Sequence, residues 1–222
     1  MRFSSTLSLA AALTLTVPAA AQLSTYSANG TAVSLGDGCV ELTSGSNGDA
    51  GSLWANEVLD LTQPFHIQAK LNFGSIDHGA EGMVLVFHAE GSDSDGTAYS
   101  EFATSFGVEF DTRYQAENGD LEGDHIAMIN DGSPVHVNSP GTNTAGPVAA
   151  FVGDGDLEDG EDHLVDVIWD PAGPEMRVHL DCEERLIGSI DLINDIFGGE
   201  RFVTWGFTAD ATDAFNIPRV CG

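Results

Sequence analysis

From residue 39 to the C-terminus the chain is a succession of short apolar runs, each cut by Gly, Asp, Asn or Pro before it can lengthen into a helix. Runs of this length, with turn residues between them at fairly even spacing, are the pattern of an all-β sandwich. The pattern predicts strands at Cys39–Thr43, Phe65–Phe73, Gly82–His88, Phe106–Asp111 and His125–Asn130. It predicts others at His163–Trp169, Met176–Leu180, Leu186–Ile190, Phe202–Thr208 and Asn216–Val220. Runs such as MVLVFH are apolar on both faces and belong inside a sheet rather than at its edge. Only LINDIFGG suggests a helical turn, and neither an internal repeat nor a linker is visible.

The first residues, MRFSSTLSLAAALTLTVPAAAQ, have one Arg, an apolar run and the small residues Ala19, Ala20 and Ala21. That is the layout of a secretory signal cleaved near Ala21, and the apolar run is shorter than the roughly 20 residues a membrane span needs. The expectation is a signal over 1–21 and one domain over 22–222, with the mature protein extracellular or periplasmic and without a membrane span.

Charge excludes one class of partner. With 35 acidic residues against 7 Lys and Arg, the formal net charge is −28, and Lys70 is the sole lysine. Such a chain lacks the cations that neutralise phosphates, so no nucleic acid is expected as a ligand. The acidity fits either a salt-rich habitat or an ordinary acidic secreted protein. Of Cys39, Cys182 and Cys221, two are expected to pair in an oxidising compartment, and the sequence does not say which.

The chemistry is concentrated in FGVEFDTRYQAENGDLEGDHIAM, residues 106–128. Side chains alternate along a strand, so Phe106, Val108 and Phe110 share one face, and Glu109 and Asp111 share the other. Two strand rises put these carboxylates roughly 7 Å apart at the backbone. Like charges this close oppose each other's ionisation unless a cation lies between them. The loop adds oxygen donors at Gln115 and Asp120, and His125 adds a nitrogen. An oxygen-rich site beside a mixed O/N site suits calcium next to a transition metal such as manganese. The same pattern is also compatible with two acids on a solvated strand face. The acidic run GDGDLEDGED, 153–162, reads as a solvated connection, with a second calcium site as the alternative.

VEFDT, with an acid nine positions after Asp111 and a histidine fourteen after it, resembles the metal-binding segment of legume-type (L-type) lectins, a family that includes bacterial members. The likeness continues through CVELT, GSLWANEVLDLTQPFHIQAKLNFG, GAEGMVLVFH, DHLVDVIWDP, MRVHLDC and IFGGERFVTWGFTADAT in unpermuted order. It implies a concanavalin-like jelly-roll sandwich of two antiparallel sheets that binds glycans and does no chemistry, with the back sheet available for association between copies. It also implies Glu109, Asp111, Asp120 and His125 as transition-metal ligands. Asp111 and Asp120 would be shared with calcium, joined by the carbonyl of Arg113 and the side chain of Gln115. For the sugar it implies Glu81 of GAEG, Gly96, Gln115 and Asp210. The family has Asp at the first of these positions and Asn at the third, so this chain carries one extra methylene at each.

One strand with alternating acids also resembles a β-glucanase of the laminarinase type. Glu109 and Asp111 would fill two of its three acidic positions, but Arg113 and Tyr114 stand where the third acid belongs. A retaining glycosidase needs a second carboxyl about 5 Å from the first. His66, His78, His88, His136, His163 and His179 read as ordinary strand or loop residues.

Overall fold

A computed structural model describes residues 20–21, 25–77, 81–91, 96–136, 143–211 and 215–222. The expected signal lies almost wholly outside these residues. Along the chain run β1 (Ala20–Ala21), β2 (Tyr26–Gly30), β3 (Val33–Gly36), β4 (Cys39–Glu41), β5 (Asp49–Ala55), β6 (Leu59–Asp60), β7 (Phe65–Asn72) and β8 (Met83–His88). They are followed by β9 (Ser105–Asp111), β10 (His125–Asn130), β11 (Asn143–Ala149), β12 (His163–Asp170), β13 (Glu175–Leu180), β14 (Glu183–Ser189), β15 (Phe202–Ala211) and β16 (Arg219–Cys221). LINDI, 192–196, makes a single π-helical turn that Asp191 caps by accepting from the Asn194 amide.

The strands form two sheets. The back sheet runs β14-β13-β12-β7-β16-β4-β3 and the front sheet runs β11-β10-β9-β8-β15-β5-β2. Apart from β1, which pairs in parallel with β7, the ladders are antiparallel. Alternation explains the sandwich. Phe106, Val108, Phe110, Leu85, Phe87 and Phe207 of the front sheet meet Ile67, Leu71, Val167 and Trp169 of the back sheet in one core. All ten expected strands are present, with ends shifted by a few residues. The turn at 192–196 is helical as read.

The other face of the front sheet is covered as well. The segment 96–104 folds over it, so Tyr99 and Phe102 pack with Trp54, Val86, Ala127 and Ile129 in a second apolar cluster. Trp54 donates through Nε1 to the Gly96 carbonyl at 3.1 Å, which fixes the start of that segment. Cys39 and Cys221, opposite each other on β4 and β16, form the disulfide, and Cys182 is a free, exposed thiol.

Candidate metal centre and adjoining cavity

β9 and β10 are neighbours in the front sheet, and their register sets Asp111 opposite His125 and Glu109 opposite Ala127. On its other side Glu109 faces Val84 of β8. The two acids therefore sit on one face, as alternation requires, but that face is not solvated. Glu109 is 5% exposed and Asp111 7%. Burial pushes the Asp111 carboxyl up to about 9, with the charge of Glu109 adding to the rise. Burial also raises Glu109 and Asp120.

The loop between β9 and β10 is folded around its own carboxylates. Asp111 accepts from the Arg113 amide at 2.6 Å, and Asp120 accepts from the Gln115 amide at 2.6 Å. His125 lies fully buried at the start of β10, and its Nδ1 meets the Gly123 carbonyl at 3.1 Å. A carbonyl accepts only, so Nδ1 carries the proton and Nε2 presents a lone pair. That lone pair has no hydrogen-bond partner. It faces Asp111 Oδ2 at 3.6 Å and Asp120 Oδ1 at 3.9 Å. Burial lowers the His125 pKa to about 4, so a second proton is not held there at neutral pH. With the two carboxylates ionised, these three atoms are all acceptors, an arrangement that a cation would satisfy.

His136 joins this group, although the sequence reading set it aside as an ordinary loop residue. Its amide donates to the Asn118 carbonyl at 2.6 Å, clasping its own loop to the one that carries Asp120. Its Nε2 lies 2.5 Å from Glu109 Oε2 and its Nδ1 3.2 Å from Asp120 Oδ1. Burial alone would lower the His136 pKa, but the hydrogen bond and charge of Glu109, with the charge of Asp120, raise it. Two overlapping sets have donor atoms within 4.8 Å of one another: Glu109, His125 and His136, and Asp111, Asp120 and His125. The structure thus brings Glu109, Asp111, Asp120 and His125 together as expected and adds His136.

Beside the cluster lies a cavity of about 200 Å³ whose walls include Glu81, Asp111, Gln115, Asn118 and Asp210. Glu81 reaches it because Gly82 lies against β9. Gly82 has φ +89°, and a Cβ there would fall 1.9 Å from the Phe110 carbonyl oxygen. The Glu81 carboxylate accepts from Arg113 Nη1 at 2.8 Å and from Gln115 Nε2 at 3.2 Å. The Gln115 oxygen accepts from Asn118 Nδ2 at 2.7 Å. Both longer side chains are thus tied to protein partners at the cavity wall. Asp210, half-buried on β15, has its pKa raised by burial and then by the charge of Glu81. Gly96 does not line the cavity; Ala98, Tyr99 and Ser100 of the same segment do. Residues 78–80 and 212–214, which flank Glu81 and Asp210, lie outside the described residues.

The acidic run 153–162 is not simply a solvated connection. Leu157 is fully buried and Glu158 is 3% exposed, with Glu158 accepting from Asn216. Asp124, Asp156 and Glu158 come together in a third group able to hold a cation, and Asp124 accepts from the Leu157 amide at 2.6 Å.

The architecture is shared with solved lectins. Lectin I-B4 of Griffonia simplicifolia, in its metal-free form, superposes with a TM-score of 0.68 at 19% identity, over 88% of this chain and 90% of that one. A Bauhinia forficata lectin in complex with GalNAc gives 0.66 at 17% identity, over 88% and 89%. The exoplasmic/lumenal domain of VIP36, in a Ca2+/Man-bound form, gives 0.62 at 15% identity, over 88% and 80%. At these identities the superpositions establish the fold. The family model of the legume lectin beta-barrel domain matches residues 18–221, nearly the whole chain, and on that match the chain belongs to the legume-type (L-type) lectin family.

Proposed function

We propose that this protein is a carbohydrate-binding lectin whose sugar site is the cavity at Glu81, Gln115 and Asp210, ordered by calcium and a divalent transition metal. The observation that carries the reading is the buried, unpartnered Nε2 of His125 facing Asp111 and Asp120 in the wall next to that cavity. Glu109, Asp111, Asp120 and His125 hold the transition metal, manganese in the family pattern. Asp111 and Asp120 also serve calcium, with the Arg113 carbonyl and Gln115. Such ions neutralise the carboxylates and hold the 113–124 loop in place. The GalNAc on the Bauhinia lectin and the mannose on VIP36 support a glycan as the ligand class. Lectins of this family are in general not enzymes, and the reading assigns this chain no reaction. It further places the mature chain outside the cytoplasm after cleavage near Ala21, which N-terminal sequencing of the exported protein tests.

A second reading is favoured by one observation. Glu81 is engaged by Arg113 and Gln115, and Gln115 by Asn118, so the groups expected to meet a sugar already have protein partners. In that reading the ions rigidify a structural or adhesive module that binds no sugar. A glycan array probed with calcium and manganese, then again after chelation, separates the two. Chelator-sensitive binding supports the lectin, and a silent array from metal-loaded, folded protein supports the module.

A further inference from the structure

Four protein donors account for the family pattern at the transition metal, yet the cluster in this chain contains five candidate side chains. His136 has a fully buried side chain and is pressed between Glu109 and Asp120, the two acids that flank the cluster. Its ring stands at 88° to that of His125, with centroids 5.2 Å apart. Two imidazoles on adjacent coordination positions of one ion can adopt a crossing of this kind, each aiming a ring nitrogen at a common centre. Donors opposite each other on an ion with bonds of about 2.1 Å are about 4.2 Å apart. Within each of the two sets the donor atoms spread over no more than 4.8 Å, and His125 belongs to both, so modest side-chain shifts would bring the sets onto one ion.

The loop contact that places His136 is made by its backbone amide, and its ring lies among acids rather than in the apolar core. We propose that His136 is a fifth protein ligand of the transition-metal site. The resulting set of two imidazoles and three carboxylates then selects a borderline ion, zinc or cobalt, over manganese. The inference rests on the metal-binding reading above. Its chemical basis is that imidazole suits zinc and its neighbours, whereas carboxylate and water suit manganese, and that affinity rises from manganese toward copper at a given N/O site. A histidine in place of water also leaves fewer open positions on the ion, consistent with a structural rather than a reactive metal.

The test is to strip the full chain with chelator, restore calcium, and offer equimolar zinc and manganese, with bound metal measured by mass spectrometry. In parallel, copper(II)-loaded protein is examined by pulsed electron paramagnetic resonance, which counts coordinated imidazoles. The wild type is expected to retain zinc and show two imidazoles. His136→Gln is expected to show one and to lose zinc affinity by about tenfold or more. One imidazole on metal-loaded wild type overturns the role of His136 and leaves the metal centre standing. Wild type that takes up no ion overturns both readings. The wild-type count decides the question even if the variant fails to fold.

Discussion

Asp111 and His125 face each other directly across the β9–β10 ladder, with Oδ2 and Nε2 3.6 Å apart and no donor between them. Buried acceptors so arranged repel, and the fold can keep them together only by protonating one of them or by admitting a cation. From this pair the division of labour among the ligands follows. Asp111→Ala and Asp120→Ala should each remove both ions, because each side chain is proposed to bridge them. Glu109→Ala and His125→Ala should deplete the transition metal and spare most of the calcium. Metal analysis of the purified variants checks this, and full retention of both ions by Asp111→Ala would falsify the shared-ligand arrangement.

The pH response should change sign with metal. In chelated protein the Asp111 carboxyl ionises at about 9 in the fold but near its ordinary value, about 3.9, in the unfolded chain. Its contribution is therefore fully present below pH 4 and is lost as pH rises toward 9. Glu109 and Asp120, also raised, act in the same direction. Asp111→Asn does not titrate, so under chelation it should gain stability relative to wild type between pH 5 and about pH 8. With metals bound, protons compete for the ligands, and wild-type stability should instead fall on acidification below neutrality. Denaturant melts of both proteins with and without chelator measure it; parallel wild-type and variant curves under chelation would count against the buried-carboxyl account.

At the cavity, Glu81→Ala should abolish glycan binding while metal content and melting temperature stay near wild type. Arg113 holds the same carboxylate at 2.8 Å in a partly exposed ion pair. Partly exposed pairs are worth about 0.2–1 kcal/mol, so Arg113→Met should raise affinity for a neutral glycan by about fivefold at most. It keeps the backbone carbonyl proposed for calcium, so metal content should not change. Calorimetric titration with an array hit decides, and unaltered binding by Glu81→Ala would place the sugar site elsewhere.

Thiol titration of the unfolded, unreduced protein should find one reactive cysteine per chain, Cys182. Replacing both Cys39 and Cys221 by Ser should lower stability by up to about 5 kcal/mol, since the bridge closes a very long loop in the unfolded chain. Two or more titratable thiols would contradict the pairing.

The sandwich was legible because alternation is a local signal, and the core faces of β7, β9, β12 and β15 carry it without interruption. Strands β2 and β3 escaped notice because they lie at sheet edges and are largely exposed, so no apolar period marks them. β11, NTAGPVA, is absent from the expected strands because Gly146 and Pro147 interrupt any strand pattern. The convergence of Glu109, Asp111, Asp120 and His125 was legible because they lie around one hairpin. His136 was not, because it follows Pro134 in a loop without period and reaches the cluster through the peptide contact with Asn118. The disulfide depends on β4 and β16 becoming neighbours across 182 residues of sequence separation, which a count of three cysteines does not specify.

The site has two halves of different reach along the chain, and that gives it an order of assembly. Asp111 and His125 are joined by one hairpin, whereas Glu81 and Asp210 meet the cluster only when β8 has docked on β9 and β15 on β8. Closing the longer span costs about 2 kcal/mol more entropy than closing the hairpin, on the logarithmic dependence of loop closure. An ion can thus be captured by a fragment of the folding chain, and its binding energy is then available to draw in the distant strands. The cavity, by contrast, exists only in the finished sheet, so the proposed metal should speed folding, whereas a ligand in the cavity should act on the rate of coming apart.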